Sequence, residues 1–547
     1  MGKTSTSLLF SASLVILILL APVGISAPHL PAKKLGYLNA SVENNIQDEC
    51  KKIARTNNRK FKRNIGNLSI AKEIVSSGMA SGCMEYEAFF QAAELVHAHD
   101  PDFKIAYTLG QLYLNMEDEV HAIEFLEDAM ELATDENQKN EIRNTLNKLY
   151  RSQVNYDEYK VPSYTLPELL KFGDGSVVND ASTWMLNRRP EILGLFSTHM
   201  YGKVPEFNTE LIFKTTDIDT TALNGKATRK QVSIMFKGDD TGLSIDVLMY
   251  IPNNTQGAVP AFVGLNFYGN HTVHSDNEIA IHKNYVLNNA QFGIANNRVD
   301  ESTRAVRSER WQVEKIIDRG YALVTAYYGD IDPDFHDNFQ NGVHALAYKD
   351  GKTQTKADEW GSIAAWAWGL SRIMDYLELD RAIDNDKVAV MGHSRLGKAA
   401  VWAGANDDRF SMVISNNSGC GGAALSRRKY GETIGVITTS FPHWFCHNLK
   451  TFKGNEKKLP VDQHMLLALV APRPLYVASA EDDRWSDPKG EFLSAAHATE
   501  VYALLGYEGL PTESMPAINQ SVMGTIGYHI REGKHDVNAF DWEQFLD

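Results

Sequence analysis

Residues 387–400 read Lys387-Val388-Ala389-Val390-Met391-Gly392-His393-Ser394-Arg395-Leu396-Gly397-Lys398-Ala399-Ala400. The first part is a short apolar run of β-branched type, and the residues after Lys398 have a helical pattern. A strand, a sharp turn with Ser394 at its apex and a helix form the context that raises a serine hydroxyl out of a sheet as a nucleophile. Glycines are needed beside Ser394 because such a turn strains the backbone and leaves little room for a Cβ. The spacing Gly-x-Ser-x-x-Gly is one residue longer than the common Gly-x-Ser-x-Gly.

Short apolar runs alternate with helical or polar stretches on both sides of this turn, from about residue 184 onward. This alternation predicts a mostly parallel sheet with helices on both faces. Together with the serine turn it favours an α/β class fold, the three-layer α/β-hydrolase sandwich. The predicted strands are 231–236, 243–251, 259–267, 321–328, 388–391, 412–415 and 474–479, and the predicted helices include 307–319 and 360–379.

The 547 residues exceed what one hydrophobic core usually holds, so two domains are expected. We predict a signal peptide at 1–27, a helical domain at 41–150, a connection at 151–180 and a catalytic domain at 181–547. The first segment has Lys3, an apolar run and then small residues, which is typical of a secretory signal rather than a membrane anchor. The mature protein is therefore expected to be exported, either periplasmic or secreted, with no membrane association.

The region 41–149 is polar, helical in period and nearly free of strand signals. One unit within it follows the spacing of a tetratricopeptide repeat, and its neighbours resemble it only vaguely. A short tetratricopeptide-like all-α domain is therefore predicted, which either binds a protein partner or only packs against the enzyme. The positions that carry the pattern are Ala106, Leu109, Gly110, Tyr113, Ala122, Leu126 and Ala129.

The net charge of −15 argues against nucleic acid and against an anionic membrane surface as partners. The four cysteines permit two bridges in an exported protein, and the simplest pairing is Cys50 with Cys83 and Cys420 with Cys446. Buried free thiols are the alternative for each pair.

A serine hydroxyl needs a histidine base, and the histidine needs a carboxylate that fixes its tautomer. In this fold the chain order is serine, acid, histidine. His535 lies in a turn after the last predicted strand and fits the base, whereas His529 is expected within that strand. Of the two places for the acid, residues 416–419 hold no carboxylate, so Asp483 is favoured, with Asp482 next.

No cofactor or metal is expected. The histidines show no zinc-like spacing, and His443 with His447 lacks the flanking acid of a His-Glu-x-x-His site. Gly419, Gly421 and Gly422 lack the lysine pattern that binds phosphates.

These motifs also carry a resemblance. The sequence from Gly392 to Lys398, the run 483–492 and Gly533-Lys534-His535 resemble the bacterial glucuronoyl esterases, carbohydrate esterase family 15. The similarity covers roughly residues 180–547, and the helical region lies outside it. Further matching segments are Arg188-Arg189-Pro190-Glu191, Tyr201-Gly202, Asn266-Phe267-Tyr268-Gly269-Asn270-His271-Thr272, Arg427-Arg428 and Trp444-Phe445.

The resemblance implies a serine esterase that cleaves esters between the carboxyl group of glucuronic acid, or its 4-O-methyl form, on xylan and an alcohol of lignin. Carried over by position, Ser394 is the nucleophile, His535 the base and Asp483 the acid. Many members carry the acid where this chain has Asn417, which leaves Asp483 as the supported candidate.

The resemblance also implies that Arg395 stabilises the oxyanion and that Lys398, Glu432 and Trp485 hold the glucuronate ring. A donor beside the nucleophile meets the charge that develops on the carbonyl oxygen. Lys398 and Glu432 can reach sugar hydroxyls, and Trp485 offers a flat face for a pyranose.

Two other functions stay open from the sequence alone. One is an acetyl or feruloyl xylan esterase on the same fold, since fold does not settle function. The other is a non-catalytic, repeat-mediated interaction protein whose hydrolase domain has lost activity.

Overall fold

A computed structural model of the chain describes residues 35–207, 210–239, 242–348 and 355–547, with side chains from residue 47 onward. The predicted signal peptide lies outside these residues. The chain divides into two compact units, Met1–Leu149 and Tyr150–Asp547. No helix in the described ranges is long and apolar enough to cross a membrane.

The first unit is built from antiparallel helical hairpins. Short polar side chains define the helix starts: the carboxylate of Asp102 accepts a hydrogen bond from the backbone N–H of Ile105 and caps α4. Gly110 on α4 lies so close to Leu126 on α5 that an added Cβ would come within 2.7 Å of its side chain. The helices are α1 (Leu35–Lys62), α2 (Leu68–Ser81), α3 (Glu87–His99), α4 (Phe103–Asn115), α5 (Glu119–Leu132) and α6 (Glu136–Ser152), whose last residues belong to the second unit.

A disulfide joins Cys50 on α1 to Cys83, which follows α2. Cys420 and Cys446 are buried free thiols, so the second predicted pairing is wrong. Burial raises the pKa of Cys446 to about 11, which keeps it a thiol at neutral pH.

The second unit is organised around a ten-stranded sheet, as far as the described residues show, in the order β1-β2-β3-β5-β4-β6-β7-β8-β10-β9. The run from β5 to β10 is parallel, and the pairings at both edges are antiparallel. The strands are β1 (Leu211–Ala222), β2 (Ala227–Phe236), β3 (Ser244–Pro252), β4 (Val259–Asn266), β5 (Ala322–Tyr327), β6 (Ile383–His393), β7 (Met412–Asn416), β8 (Leu475–Ala480), β9 (Gln520–Val522) and β10 (Ile526–Arg531).

Helices cover both faces of the sheet. Successive residues of β6 alternate between the two cores: Val388 and Val390 face one, and Ala389 and Met391 face the other. The α/β three-layer sandwich predicted from the sequence is therefore confirmed. Its helices are α7 (Ala181–Thr183), α8 (Arg189–His199), α9 (Ser308–Trp311), α10 (Val313–Asp318), α11 (Ser362–Leu377), α12 (Arg395–Asn406), α13 (Ile434–Ser440), α14 (Gln463–Ala468), α15 (Pro488–Leu504) and α16 (Ala539–Leu546).

Two predicted helices differ in detail from the structure. The pattern at 360–379 corresponds to α11. The pattern at 307–319 is divided into α9 and α10, because Gln312 takes a left-handed conformation with φ of 38°.

Candidate active site

Ser394 stands at the turn between β6 and α12, with φ of 58° and ψ of −129°. A non-glycine residue in this region is strained, and such strain is concentrated at functional turns. The backbone N–H of Ser394 donates to the carbonyl of Asn416, which ties the turn to the end of β7. A Cβ on Gly392 would lie 2.0 Å from the carbonyl oxygen of Leu396, and one on Gly397 would lie 2.9 Å from that of Gly392. Both glycines are therefore required by close backbone approach.

His535 and Asp483 follow neighbouring parallel strands, β10 and β8, and meet at the same edge of the sheet. The Nδ1 atom of His535 lies 2.6 Å from Oδ2 of Asp483. Asp483 is buried, whereas the His535 side chain is 38% exposed. A carboxylate on Nδ1 selects the tautomer in which Nδ1 carries the proton and Nε2 can accept one.

Asp483 is held in its ionised form by its neighbours. The side-chain amide of Asn417 donates to the same Oδ2 atom at 2.8 Å. Burial acts to raise the pKa of Asp483, but hydrogen bonds and the charge of His535 more than offset it, and the pKa is lowered. Asp482, the second acid candidate, is exposed and contributes a backbone N–H to Gly533 instead.

His393 is a neighbour of the site that the sequence pattern does not single out. Its ring lies 4.4 Å from the ring of His535, so the base stands against the residue that precedes Ser394. Burial, followed by nearby cations, lowers the pKa of His393 well below its usual range, and the ring is neutral. Its Nδ1 atom lies 2.7 Å from Oδ1 of Asn416. Only the spatial pairing of β6, β7 and the β10 turn reveals this contact.

Arg395 begins α12 directly after the nucleophile. Its guanidinium lies between the rings of Phe267 and Trp444, at 5.2 and 5.0 Å, and its Nη1 atom lies 3.1 Å from Asp334. Burial opposes the charge, but Asp334 keeps the pKa of Arg395 above its ordinary value. The Nε atom is buried and has no hydrogen-bond partner among the described residues. Sequence reasoning missed Asp334, because a contact between residues 61 positions apart along the chain leaves no local pattern.

Lys398 and Glu432 are brought together beneath the nucleophile turn. Both side chains are buried, and Nζ of Lys398 lies 3.7 Å from Glu432 and donates to the carbonyl of Ser418 at 2.5 Å. Burial raises the pKa of Glu432, and the charge of Lys398 is the largest opposing effect. The backbone N–H of Glu432 donates to the carbonyl of Trp485, whose side chain is half-buried. Among the predicted site residues, the structure thus brings His535 to Asp483 and Lys398 to Glu432, and it joins Glu432 to Trp485 through the backbone.

This arrangement suits acyl transfer. It supplies a strained serine, a histidine oriented by an ionised carboxylate, a cation beside the serine, and a buried Lys398–Glu432 pair adjoining Trp485. Among the described residues, no cluster of histidine, cysteine and acidic side chains has the arrangement of a metal site.

Comparisons with known proteins point the same way. The family described as "Glucuronyl esterase, fungi" matches residues 351–506, which hold Ser394 and Asp483. A carbohydrate esterase, MZ0003, from an unknown prokaryotic organism is 52% identical over 394 residues, covering 72% of this chain and 90% of that protein. A 4-O-methyl-glucuronoyl methylesterase of Podospora anserina is 38% identical over 135 residues, covering 23% of this chain and 28% of that protein.

Two solved structures share the fold of the second unit. A promiscuous family 15 esterase from a marine bacterial metagenome superposes with a TM-score of 0.68 at 52% identity, covering 72% of this chain and 98% of that one. The glucuronoyl esterase from Solibacter usitatus gives a TM-score of 0.68 at 47% identity, covering 71% and 98%. The chain therefore belongs to carbohydrate esterase family 15, the glucuronoyl esterases of α/β-hydrolase fold, and is a carboxylic-ester hydrolase.

Proposed function

We propose that the enzyme hydrolyses esters that link the carboxyl group of glucuronic acid, or 4-O-methyl-glucuronic acid, on glucuronoxylan to alcohols of lignin. The observation that carries this proposal is the pair formed by His535 and the buried Asp483, next to the strained turn of Ser394. The names of the relatives supply the substrate class, and the Lys398–Glu432 subsite supplies polar groups suited to sugar hydroxyls.

The reaction proceeds by two steps through an acyl-enzyme. His535 accepts the proton of the Ser394 hydroxyl as its oxygen attacks the ester carbonyl, and Arg395 meets the negative charge on the carbonyl oxygen. The tetrahedral species collapses, and the alcohol leaves with the proton from His535. A water then attacks the acyl-enzyme with His535 again as base, which releases the glucuronate and restores Ser394.

The sugar subsite fixes which ester reaches Ser394. Lys398 donates to hydroxyl oxygens of the uronate ring, Glu432 accepts from hydroxyl groups, and Trp485 packs against the ring. Because Lys398 and Glu432 are buried, a substrate hydroxyl that pairs with them is shielded from bulk water, and removing that hydroxyl leaves these groups without a partner.

We also propose that residues 1–27 direct export and that residues 41–150 form a tetratricopeptide-like domain, joined by residues 151–180 to a catalytic domain at 181–547. The Cys50–Cys83 disulfide supports an oxidising compartment. Burial of Ala106, Leu109, Gly110, Tyr113, Ala122, Leu126 and Ala129 in α4 and α5 supports the repeat-like packing. A protein partner for this domain is part of the proposal.

The test compares kcat/KM for benzyl glucuronate, acetylated xylan and p-nitrophenyl acetate. We expect the glucuronate ester to be hydrolysed faster than either acetyl ester by a factor of about 100 or more, since only it fills the sugar subsite. The opposite order would favour an acetyl esterase. That second candidate is kept because one relative is described as promiscuous.

A further inference from the structure

The segment of residues 150–160, called here the connecting segment, lies before the region that resembles family 15 and belongs to the second unit. It contacts the loop around Gly431 and the first turn of α15. The backbone N–H of Gly431 donates to the carbonyl of Asn155 at 2.9 Å, and the carboxylate of Glu158 pairs with Arg428 and Lys489, both at 2.8 Å. The loop carries Glu432, and Trp485 lies just before α15, so the connecting segment adjoins the proposed sugar subsite.

Arg151 is a residue of this segment that contacts Trp485. Its guanidinium carbon lies 5.1 Å from the centroid of the Trp485 ring, a cation–π arrangement. Its charge also acts on the buried carboxyl of Glu432: burial raises the pKa of this carboxyl, and Lys398, a hydrogen bond from Trp485 and His535 each oppose the rise more strongly than Arg151 does. Among the described residues, no ion pair or hydrogen bond engages the guanidinium itself. Arg151 is thus a cation at the subsite whose N–H donors are still available.

The proposed subsite has a buried part and an exposed part, because its residues differ in solvent exposure. Lys398, one helical turn after Ser394, and Glu432 are buried, whereas Arg151 is exposed. The ester carbon must reach Ser394, which is half-buried. A polysaccharide cannot be enclosed, so the chain that carries the uronate must leave toward solvent, past Trp485 and Arg151.

We propose that Arg151 is a specificity-determining residue that donates hydrogen bonds to the sugar unit bearing the glucuronate, so that polymer-linked esters are preferred over esters of the free monosaccharide. The proposal rests on the function proposed above. A guanidinium stacked on an indole keeps the N–H groups along its edge free, and its five donors lie in a fixed plane that suits neighbouring hydroxyl and ring oxygens. A lysine ammonium offers neither the plane nor the stacking.

The experiment measures kcat and KM of the full chain for two benzyl esters, one of glucuronic acid and one of a glucuronoxylo-oligosaccharide. We expect Arg151→Ala to raise KM for the oligosaccharide ester roughly fivefold to tenfold, with kcat unchanged and the monosaccharide ester within about twofold. Arg151→Lys should recover only part of the loss. Lys160→Ala, which removes an exposed cation from the same segment, is the matched control and should change neither ester.

Two results would overturn the proposal while leaving the enzyme's function intact. One is an Arg151→Ala variant with wild-type KM for the oligosaccharide ester. The other is an equal loss on both esters, which would assign Arg151 to the uronate ring or to folding. A wild type that hydrolyses neither glucuronate ester would instead reject the proposed function, and the role of Arg151 with it.

Discussion

At the scale of single residues, the site depends on one carboxylate that stays charged although it is buried. Asp483 receives hydrogen bonds from His535 and Asn417 on the same oxygen atom. Asn417 contributes a hydrogen-bond donor here, so it supports the charge on Asp483. The adjacent Asp482 has no such environment, which makes the two neighbouring acids a natural comparison.

We expect Asp483→Asn to lower kcat about 100-fold to 10,000-fold, because the amide no longer stabilises the protonated imidazole of His535. Asp482→Asn should remain within about twofold of the wild type, since its carboxylate is exposed. Steady-state kinetics on benzyl glucuronate separates the two. An equal loss in both variants would show that the acid has been assigned to the wrong residue.

The buried carboxyl of Glu491 predicts how the free energy of unfolding changes with pH. Its carboxyl accepts hydrogen bonds from the backbone N–H of Gly419 at 2.9 Å and from Ser479 at 2.6 Å, and burial raises its pKa to about 8. The folded state therefore keeps a proton that the unfolded chain releases near its ordinary pKa of 4.5. Stability from this group is present at low pH and is lost as the pH rises toward about 8, with a slope of up to about 1.4 kcal/mol per unit.

Glu491→Gln keeps the shape and removes the titration. We expect the free energy of unfolding of this variant, relative to the wild type, to increase steadily from pH 5 to pH 8. Urea unfolding followed by tryptophan fluorescence measures this in the second unit, which contains all nine tryptophans. A difference that does not change with pH would contradict the buried, protonated carboxyl.

The candidate nucleophile, acid and base could be predicted from the sequence, whereas the contacts between residues distant in the chain could not. The order of residues along the chain and the residue types at each turn are visible in the sequence. They are enough to single out Ser394, Asp483 and His535. The Asn417–Asp483 hydrogen bond and the Arg395–Asp334 pair join residues far apart in the chain, and only the strand order brings them together. The assignment of catalytic roles remains a prediction.

At the scale of elements, the strand-turn-helix of β6 and α12 is fixed by how closely its backbone segments approach. The sequence pattern predicts β2 to β8 because they are apolar on one or both faces. It does not predict β1, whose residues alternate between polar side chains and partly exposed apolar ones at the sheet edge. An edge strand needs little hydrophobic surface, so composition gives only a weak signal there.

Gly392→Ala tests the tight turn. Its Cβ would collide with the carbonyl of Leu396 at 2.0 Å, so we expect the variant to lose about 2 kcal/mol of stability or more, together with most activity. Gly194→Ala in α8 is the matched control, because nothing lies within 4 Å of the added Cβ. That control should be neutral or stabilised by up to about 1 kcal/mol. Thermal melting measures the stability of both variants. Equal stability would contradict the close backbone approach at Gly392.

At the scale of the whole molecule, the division into two units with separate cores predicts that each unit unfolds with its own free energy. Replacing both Cys50 and Cys83 by serine should destabilise the helical unit by about 2–4 kcal/mol, because the crosslink restricts the unfolded chain. The catalytic unit should keep its activity and its tryptophan-monitored transition. Circular dichroism follows the helices in parallel, and a reductant should reproduce the effect only in the wild type. A shift of the tryptophan transition by the same amount would contradict independent units.

The central claim is that Ser394 attacks the ester of a glucuronate. The most direct measurement is kcat/KM for benzyl glucuronate in the wild type and in Ser394→Ala, with melting curves to show that both are folded. We predict clear hydrolysis by the wild type and a loss of about 1,000-fold or more in the variant. Undiminished hydrolysis by Ser394→Ala, or none by the folded wild type, would contradict the claim.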